Sequence, residues 1–220
     1  MIKESLRIFM LMPFSEELTI IYKNCIKKPL EKVGHKVKRA DDIFKSSPIM
    51  EDVIHQIKIS DVIIADLTGK NPNVFYELGR AHEANKQVIQ ISQQDHLPFD
   101  TRHIRTILYT NDSQGHEMLT ESLKKYIKAI QKELQINKII EKLEVSKEYI
   151  ESIQYSKLLS EWEDELSPKQ LYRIAEAVYD NPQIFESYRA RAYLQPIFKK
   201  YFSIIPDYIV SHLEFNGYKF

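Results

Sequence analysis

Cysteine is almost absent from this chain. Cys25 is the only one, so no internal disulfide can form, and the seven histidines (His35, His55, His82, His96, His103, His116 and His212) show no short ligand spacing. No metal is expected. No apolar run approaches the length of a signal core or a membrane-spanning helix, so a cytoplasmic protein without a membrane partner is the expectation. An excess of one charge is missing too: Lys plus Arg and Asp plus Glu both number 31, which gives no indication of a nucleic-acid surface. The exit of the first strand lacks glycine. Its residues Met12-Pro13-Phe14-Ser15-Glu16 hinder close approach of the backbone to a phosphate, and Glu16 would repel one.

What is present is concentrated between Asp61 and Ala81. Val62, Ile63, Ile64 and Ala65 are apolar and mostly β-branched without a helical period, as in a strand covered on both faces, and Asp66 stands at its exit. Ligands of open α/β sheets bind at such carboxyl ends. Asn71 suits an N-cap and Pro72 a first helical position, which predicts a helix to about Asn85. On it, Val74, Leu78 and Ala81 form an apolar face while Asn73 and Glu77, four apart, share a polar one. Glu77 lies too far inside the helix to serve only the macrodipole, so it is a candidate acid, base or nucleophile. Gly79 weakens the helix with no turn to justify it and is expected to permit close packing.

The first 135 residues alternate strand and helix patterns. Strands are predicted at Leu6 to Met12, Lys36 to Ala40, Asp61 to Leu67, Gln87 to Ser92 and Ile104 to Tyr109. Between them come a helical segment from Glu16 to Val33, one opened by Pro48 and running to about Ile59, and the Pro72 helix; Gly115 to Gln135 closes the set. Five strands separated by helices imply an α/β, flavodoxin-like (Rossmann-like) fold with a parallel sheet in the order 2-1-3-4-5. In that order Met12 to Ser15, Arg39 to Asp42 and Asp66 to Glu77 converge on one cleft, with Asp42 expected to be solvated.

From residue 136 to 220 apolar residues recur at helical intervals and no further strand run is visible. Pro168, Pro182, Pro196 and Pro206 mark boundaries of three or four short helices, with Ser167-Pro168 a cap and first turn. Two domains are therefore read, 1–135 and an all-helical appendage over 136–220 for assembly or sensing. Nine of the 13 tyrosines lie between Tyr149 and Tyr218. Core packing is favoured for them over a base-stacking surface, and their excess over what short helices can bury predicts a homo-oligomer or a partner protein on the helical tail.

Asp61 to Ala81 resembles the core motif of the nucleoside 2-deoxyribosyltransferase-like superfamily, which includes deoxynucleoside monophosphate N-glycosidases and is structurally similar to TIR domains. Tyr76-Glu77-Leu78-Gly79-Arg80-Ala81 is its most specific part. Met12-Pro13-Phe14, Arg39-Ala40-Asp41-Asp42 and Pro98-Phe99-Asp100-Thr101-Arg102-His103 also resemble segments that recur in bacterial TIR-like or nucleotide-binding proteins. The resemblance implies that Glu77 is the nucleophile attacking an anomeric carbon. Asn71 stands where deoxyribosyltransferases usually carry an aspartate, and the first turn lacks the glycines of the monophosphate glycosidases.

The chemistry of an oxocarbenium-like state then assigns roles: Glu77 beneath the anomeric carbon and Asp66 as a second acid for the departing base. Substrate contacts are expected from Asn73 to a ribose hydroxyl and from Asn71, Asp41, Phe14 and Ser15. Arg39 and Arg102 are either phosphate forks or internal anchors for Asp41 and Asp100. No cofactor is expected beyond NAD or a nucleotide as substrate or ligand. Two classes of function follow: an N-glycosidase cleaving the base–ribose bond of NAD or a related nucleotide, by resemblance a bacterial antiphage defence effector, or a non-catalytic nucleotide-binding or signalling module.

Overall fold

In the computed structural model, residues 5–42, 49–94, 98, 104–181, 184 and 186–219 are described. The chain divides into two compact units, Met1–Gln131 and Lys132–Phe220.

The first unit is a five-stranded parallel sheet, β1 (Arg7–Leu11), β2 (Lys36–Arg39), β3 (Val62–Asp66), β4 (Gln87–Ser92) and β5 (Thr106–Leu108), in the order β2-β1-β3-β4-β5. The fold is thus α/β and flavodoxin-like, followed by a helical C-terminal part. β3 lies at the centre, with Ile8 to Leu11 beside Val62 to Ala65 on one edge and Gln87 to Ile91 on the other. Val62 through Ala65 are wholly buried, as a strand covered on both faces requires. Val62, Ile63 and Ile64 each contribute roughly 1.5–3 kcal/mol of burial. At the amino edge of the sheet Arg7 reaches across to Asp61: its backbone N–H and its guanidinium both donate to that carboxylate, at 2.8 and 3.1 Å, fixing where β3 enters.

The helical segment from Glu16 is not one regular α-helix. α1 (Glu16–Ile21) passes through a π-helical stretch, Tyr22–Lys27, into α2 (Lys28–Lys32). Pro29 explains the widening, because it has no N–H to return to the Cys25 carbonyl four residues earlier. The Thr120 hydroxyl donates to that carbonyl instead, at 2.8 Å. α3 (Ile49–Ile59) and α4 (Pro72–Glu83) follow; Pro48, expected to open the first of these, lies outside the described residues. Val53 and Ile57 of α3 with Val74, Leu78 and Ala81 of α4 pack with Phe9, Leu11, Ile63 and Ala65 into one core. The fifth strand is shorter than the Ile104 to Tyr109 run suggested. α5 (Ser113–Glu144) is longer than expected, running nine residues past Gln135, so the division between the units falls inside it.

The second unit continues with α6 (Tyr149–Ser160), α7 (Pro168–Asp180), α8 (Tyr188–Lys200) and α9 (Asp207–Phe215). Ile136, Ile140 and Leu143 of α5 join Leu171, Ile174, Leu194, Phe198 and Leu213 in its core. α7 starts with a reciprocal capping box between Ser167 and Gln170. Pro196, expected at a boundary, is inside α8: it is exposed there and α8 ends only a turn later, which limits the hydrogen bonds its missing N–H removes. The aromatic residues divide. Phe198 and Tyr218 are core, and Trp162, Tyr155, Tyr172 and Tyr201 pack against it, whereas Tyr149, Tyr179, Tyr188 and Tyr208 are exposed. No helix among the described residues is long and apolar enough to cross a membrane.

Candidate active site

β2, β1 and β3 are neighbours in that order, so their carboxyl ends deliver Arg39 to Asp42, Met12 to Ser15 and Asp66 to Glu77 to the same edge of the sheet. This is the edge at which ligands of such sheets bind.

On β2, Arg39 is only 4% exposed. Its guanidinium forms a fork on Asp41, through Nε at 2.6 Å and through Nη2, and Nη1 donates to Thr19 Oγ1 at 3.0 Å and to Met12 Sδ. The rings of Tyr22 and Phe14 lie 4.9 and 5.1 Å from its centre. Of the two roles read for Arg39, the structure takes the internal one: every guanidinium nitrogen already has a partner. The same arginine holds the Asp41 carboxylate below its ordinary range. Asp42, expected to be solvated, is exposed and at the same time accepts from the Tyr22 hydroxyl, Lys27 and the Arg39 backbone N–H. Ser15 caps α1 by accepting from Leu18 N–H at 3.2 Å, and Phe14 keeps two thirds of its surface in solvent.

On β3, successive side chains alternate faces, so Asp66 shares that of Ile64 while Ala65 faces α3 and α4. Asp66 is 1% exposed. Its Oδ2 accepts from the Tyr109 hydroxyl at 2.8 Å and its Oδ1 from Thr68 N–H at 2.9 Å. Burial pushes its carboxyl above the ordinary range, and the Thr68 and Tyr109 bonds only partly offset this. The expectation that Asp66 stands in the cleft as a second acid is therefore corrected: the carboxylate is withdrawn beneath the loop and both its oxygens are occupied. Tyr109 in turn receives the Gln93 amide at 3.3 Å, and Thr68 Oγ1 accepts from Gln93 N–H at 3.0 Å. Tyr109, Thr68 and Gln93 were not read as site residues from sequence. A tyrosine directly after a strand has no spacing signal, because its partner lies 43 positions away.

The loop after Asp66 turns through Gly69, at φ +73°, into α4. Asn71 caps that helix, its Oδ1 accepting from Asn73 N–H at 2.9 Å, and Pro72 takes the first turn. Val74, Leu78 and Ala81 are buried on the sheet, so Asn73 is left exposed and Glu77 half-buried. Arg80, a cation that could have neutralised Glu77, pairs with Glu83. Glu77 has no ion pair or hydrogen bond with any described residue, and burial pushes its carboxyl above the ordinary glutamate value. A half-buried, unneutralised carboxylate of raised basicity can act as a nucleophile or a base. Gly79 does not serve close packing, since a Cβ there would meet nothing within 4 Å among the described residues. Arg102, with Asp100 and His103, lies outside the described residues. No group of three or more His, Cys, Asp or Glu suited to a metal occurs among those described.

No family model and no curated protein matches the chain. Among solved structures, it is similar to a 2-deoxyribosyltransferase from the psychrotolerant bacterium Bacillus psychrosaccharolyticus, at 18% identity and a TM-score of 0.38 over 47% of this chain and 83% of that one. It is also similar to a 2-desoxiribosyltransferase from Leishmania mexicana, at 21% identity and a TM-score of 0.36 over 40% of this chain and 65% of that one.

Proposed function

We propose that the α/β unit cleaves the N-glycosidic bond of a nucleoside or nucleotide, with Glu77 as the nucleophile. The observation that carries this reading is the contrast between two carboxylates at one strand end: Asp66 is buried with both oxygens bonded, whereas Glu77 has no described partner and stands on the polar face of α4. One free carboxylate defines the chemistry. Glu77 attacks the anomeric carbon as the carbon–nitrogen bond breaks and its electron pair stays on the base; water then hydrolyses the glycosyl ester, returning the carboxylate and releasing a proton. With Asp66 withdrawn from the role of second acid, the mechanism favours a base that leaves without protonation. Nicotinamide is such a base, because a positively charged pyridinium departs as a neutral molecule, so NAD is the preferred substrate of this reading. Asp66 then acts as a positioning residue that ties the loop entering α4 to Tyr109. An effector role in bacterial defence would follow from NAD depletion and rests on the TIR-like resemblance of the Tyr76 to Ala81 segment.

A non-catalytic nucleotide-binding module is the second reading. The observation behind it is that Arg39 and Ser15 spend their polar groups internally, leaving fewer contacts for a phosphate than the sequence offered. Incubating the purified full chain with NAD, nucleosides and nucleotides, with mass-spectrometric detection of freed bases, separates the two. Base release that disappears in Glu77→Gln supports the glycosidase. A wild-type protein that binds a nucleotide without releasing any base supports the module.

A further inference from the structure

We propose that the helical unit holds an anion site of its own, fitted to a phosphate-bearing small molecule of about mononucleotide size. Positions 188, 191, 195 and 199 of α8 follow one helical stripe, while Ala190, Leu194, Ile197 and Phe198 point into the core. Above the stripe lies a cavity of about 320 Å³, walled by Tyr188, Arg191, Gln195 and Lys199 and by Gly217 and Lys219 of the segment after α9. That volume lies within the range of small-ligand sites.

Three cations line this cavity and, among the described residues, no acid does. The contrast within the same unit is sharp: Lys132, Arg173 and Lys200 are each paired with a carboxylate, on Glu165, Glu144 and Asp164, whereas Arg191, Lys199 and Lys219 have no ion pair with a described residue. Converging like charges that no described carboxylate neutralises raise the local potential for an anion. Arg191 adds a second observation. Its Nε is buried without a hydrogen-bond partner, and so is the hydroxyl of Tyr218, whose ring centroid lies 5.9 Å from that guanidinium. The guanidinium is thus partly desolvated yet not neutralised, a costly state that a bidentate acceptor such as phosphate relieves.

Local structure keeps the site open. Gly217 has φ +90°, and a Cβ there would come within 2.2 Å of Arg191 Nη1, so glycine leaves the guanidinium its space. The Gln195 side chain pairs with both backbone groups of Lys219, accepting from its N–H at 2.9 Å and donating to its carbonyl, which fixes that residue at the cavity wall. Tyr188, 76% exposed at the rim, offers a flat face to a ring borne by the phosphate. None of this depends on Glu77.

Calorimetric titration of the full chain tests the site, with pyrophosphate and AMP as probes and adenosine as the phosphate-free control. The expected result is binding of both phosphate probes that weakens at least ten-fold in Arg191→Gln and in the doubly exposed variant Lys199→Glu/Lys219→Glu, and that persists in Glu77→Gln. Should Arg191→Gln fail to fold, the double variant decides alone, since both its positions are exposed. Absence of pyrophosphate binding to the wild type overturns the proposal. So does binding that the folded double variant retains at full strength, or that Glu77→Gln abolishes.

Discussion

In the α/β unit, Arg39 and Asp66 are almost wholly buried, and each guanidinium nitrogen and each carboxylate oxygen has a partner. In the helical unit, Arg191 Nε, Tyr218 Oη and Ser156 Oγ are buried with none, while among the described residues of the α/β unit this holds for Gln90 Nε2 alone. The difference follows from architecture. Strand ends and their loops expose backbone N–H groups and polar side chains in many directions, so a buried polar atom at a strand end has several groups to pair with, as Asp66 does at Thr68 and Tyr109. Helices consume their backbone groups internally and offer one another mainly side chains, so a polar atom caught between them depends on a matching side chain or a ligand. What stands out has opposite charge in the two units: a half-buried carboxylate, Glu77, with no partner among the described residues, and an arginine, Arg191, with no ion pair among them.

The largest effect expected is on catalysis. Glu77→Gln keeps volume and hydrogen bonding while removing the charge, so base release should fall by roughly three orders of magnitude or more, with the circular dichroism of both units unchanged. Retention of near wild-type turnover would break the contrast between Glu77 and Asp66. Its pH profile sharpens the same point. Burial raises the Glu77 carboxyl, so activity should be lost as pH falls through a midpoint above the ordinary glutamate value, and Glu77→Gln should remove that limb.

Next comes the helical core. Phe198 is wholly buried there, and Phe198→Ala should cost about 3–5 kcal/mol in urea unfolding. Amide exchange should locate the loss in residues 132–219; equal loosening of β3 and β4 would show that the two units do not unfold separately.

Asp66→Ala should cost about 2–3 kcal/mol, because it strands the Tyr109 hydroxyl and Thr68 N–H beneath the loop. The folded Asp66 carboxyl is raised above its unfolded value. Its contribution to stability is therefore fully present below the unfolded value and lost as pH rises through the folded one. Denaturation midpoints of wild type and Asp66→Asn measured from pH 4 to 8 should converge at low pH and separate as pH rises, with the wild type declining. Parallel curves would mean that the buried carboxylate is not titrating.

The smallest effect is a gain. Gly79 sits in the interior of α4, exposed and with open space where a Cβ would go, so Gly79→Ala should stabilise by about 0.5–1 kcal/mol. A loss instead would reveal a close approach that the described residues do not account for.

Which parts of this molecule local pattern can specify is visible element by element. Val62 to Ala65 announce a doubly covered strand, and Asn71-Pro72 with Val74, Leu78 and Ala81 announce a capped helix with one face on the sheet, because period and capping are properties of neighbouring residues. The parallel order β2-β1-β3-β4-β5 follows from alternation of strand and helix together with right-handed crossovers. The polar face bearing Glu77 was legible for the same reason. Tertiary structure alone decided what each polar side chain does. Arg39 had two open roles until Thr19, Met12 and Tyr22 met it on one face of the sheet. Asp66 looked like a cleft acid until Tyr109 took one of its oxygens. Pro196 looked like a helix boundary, but α8 continues through it while Leu194 and Ile197 stay in the core. A side chain's propensity and period are set within a few residues along the chain, whereas its charge state, exposure and partner are set by groups tens of residues away, and no periodicity encodes those.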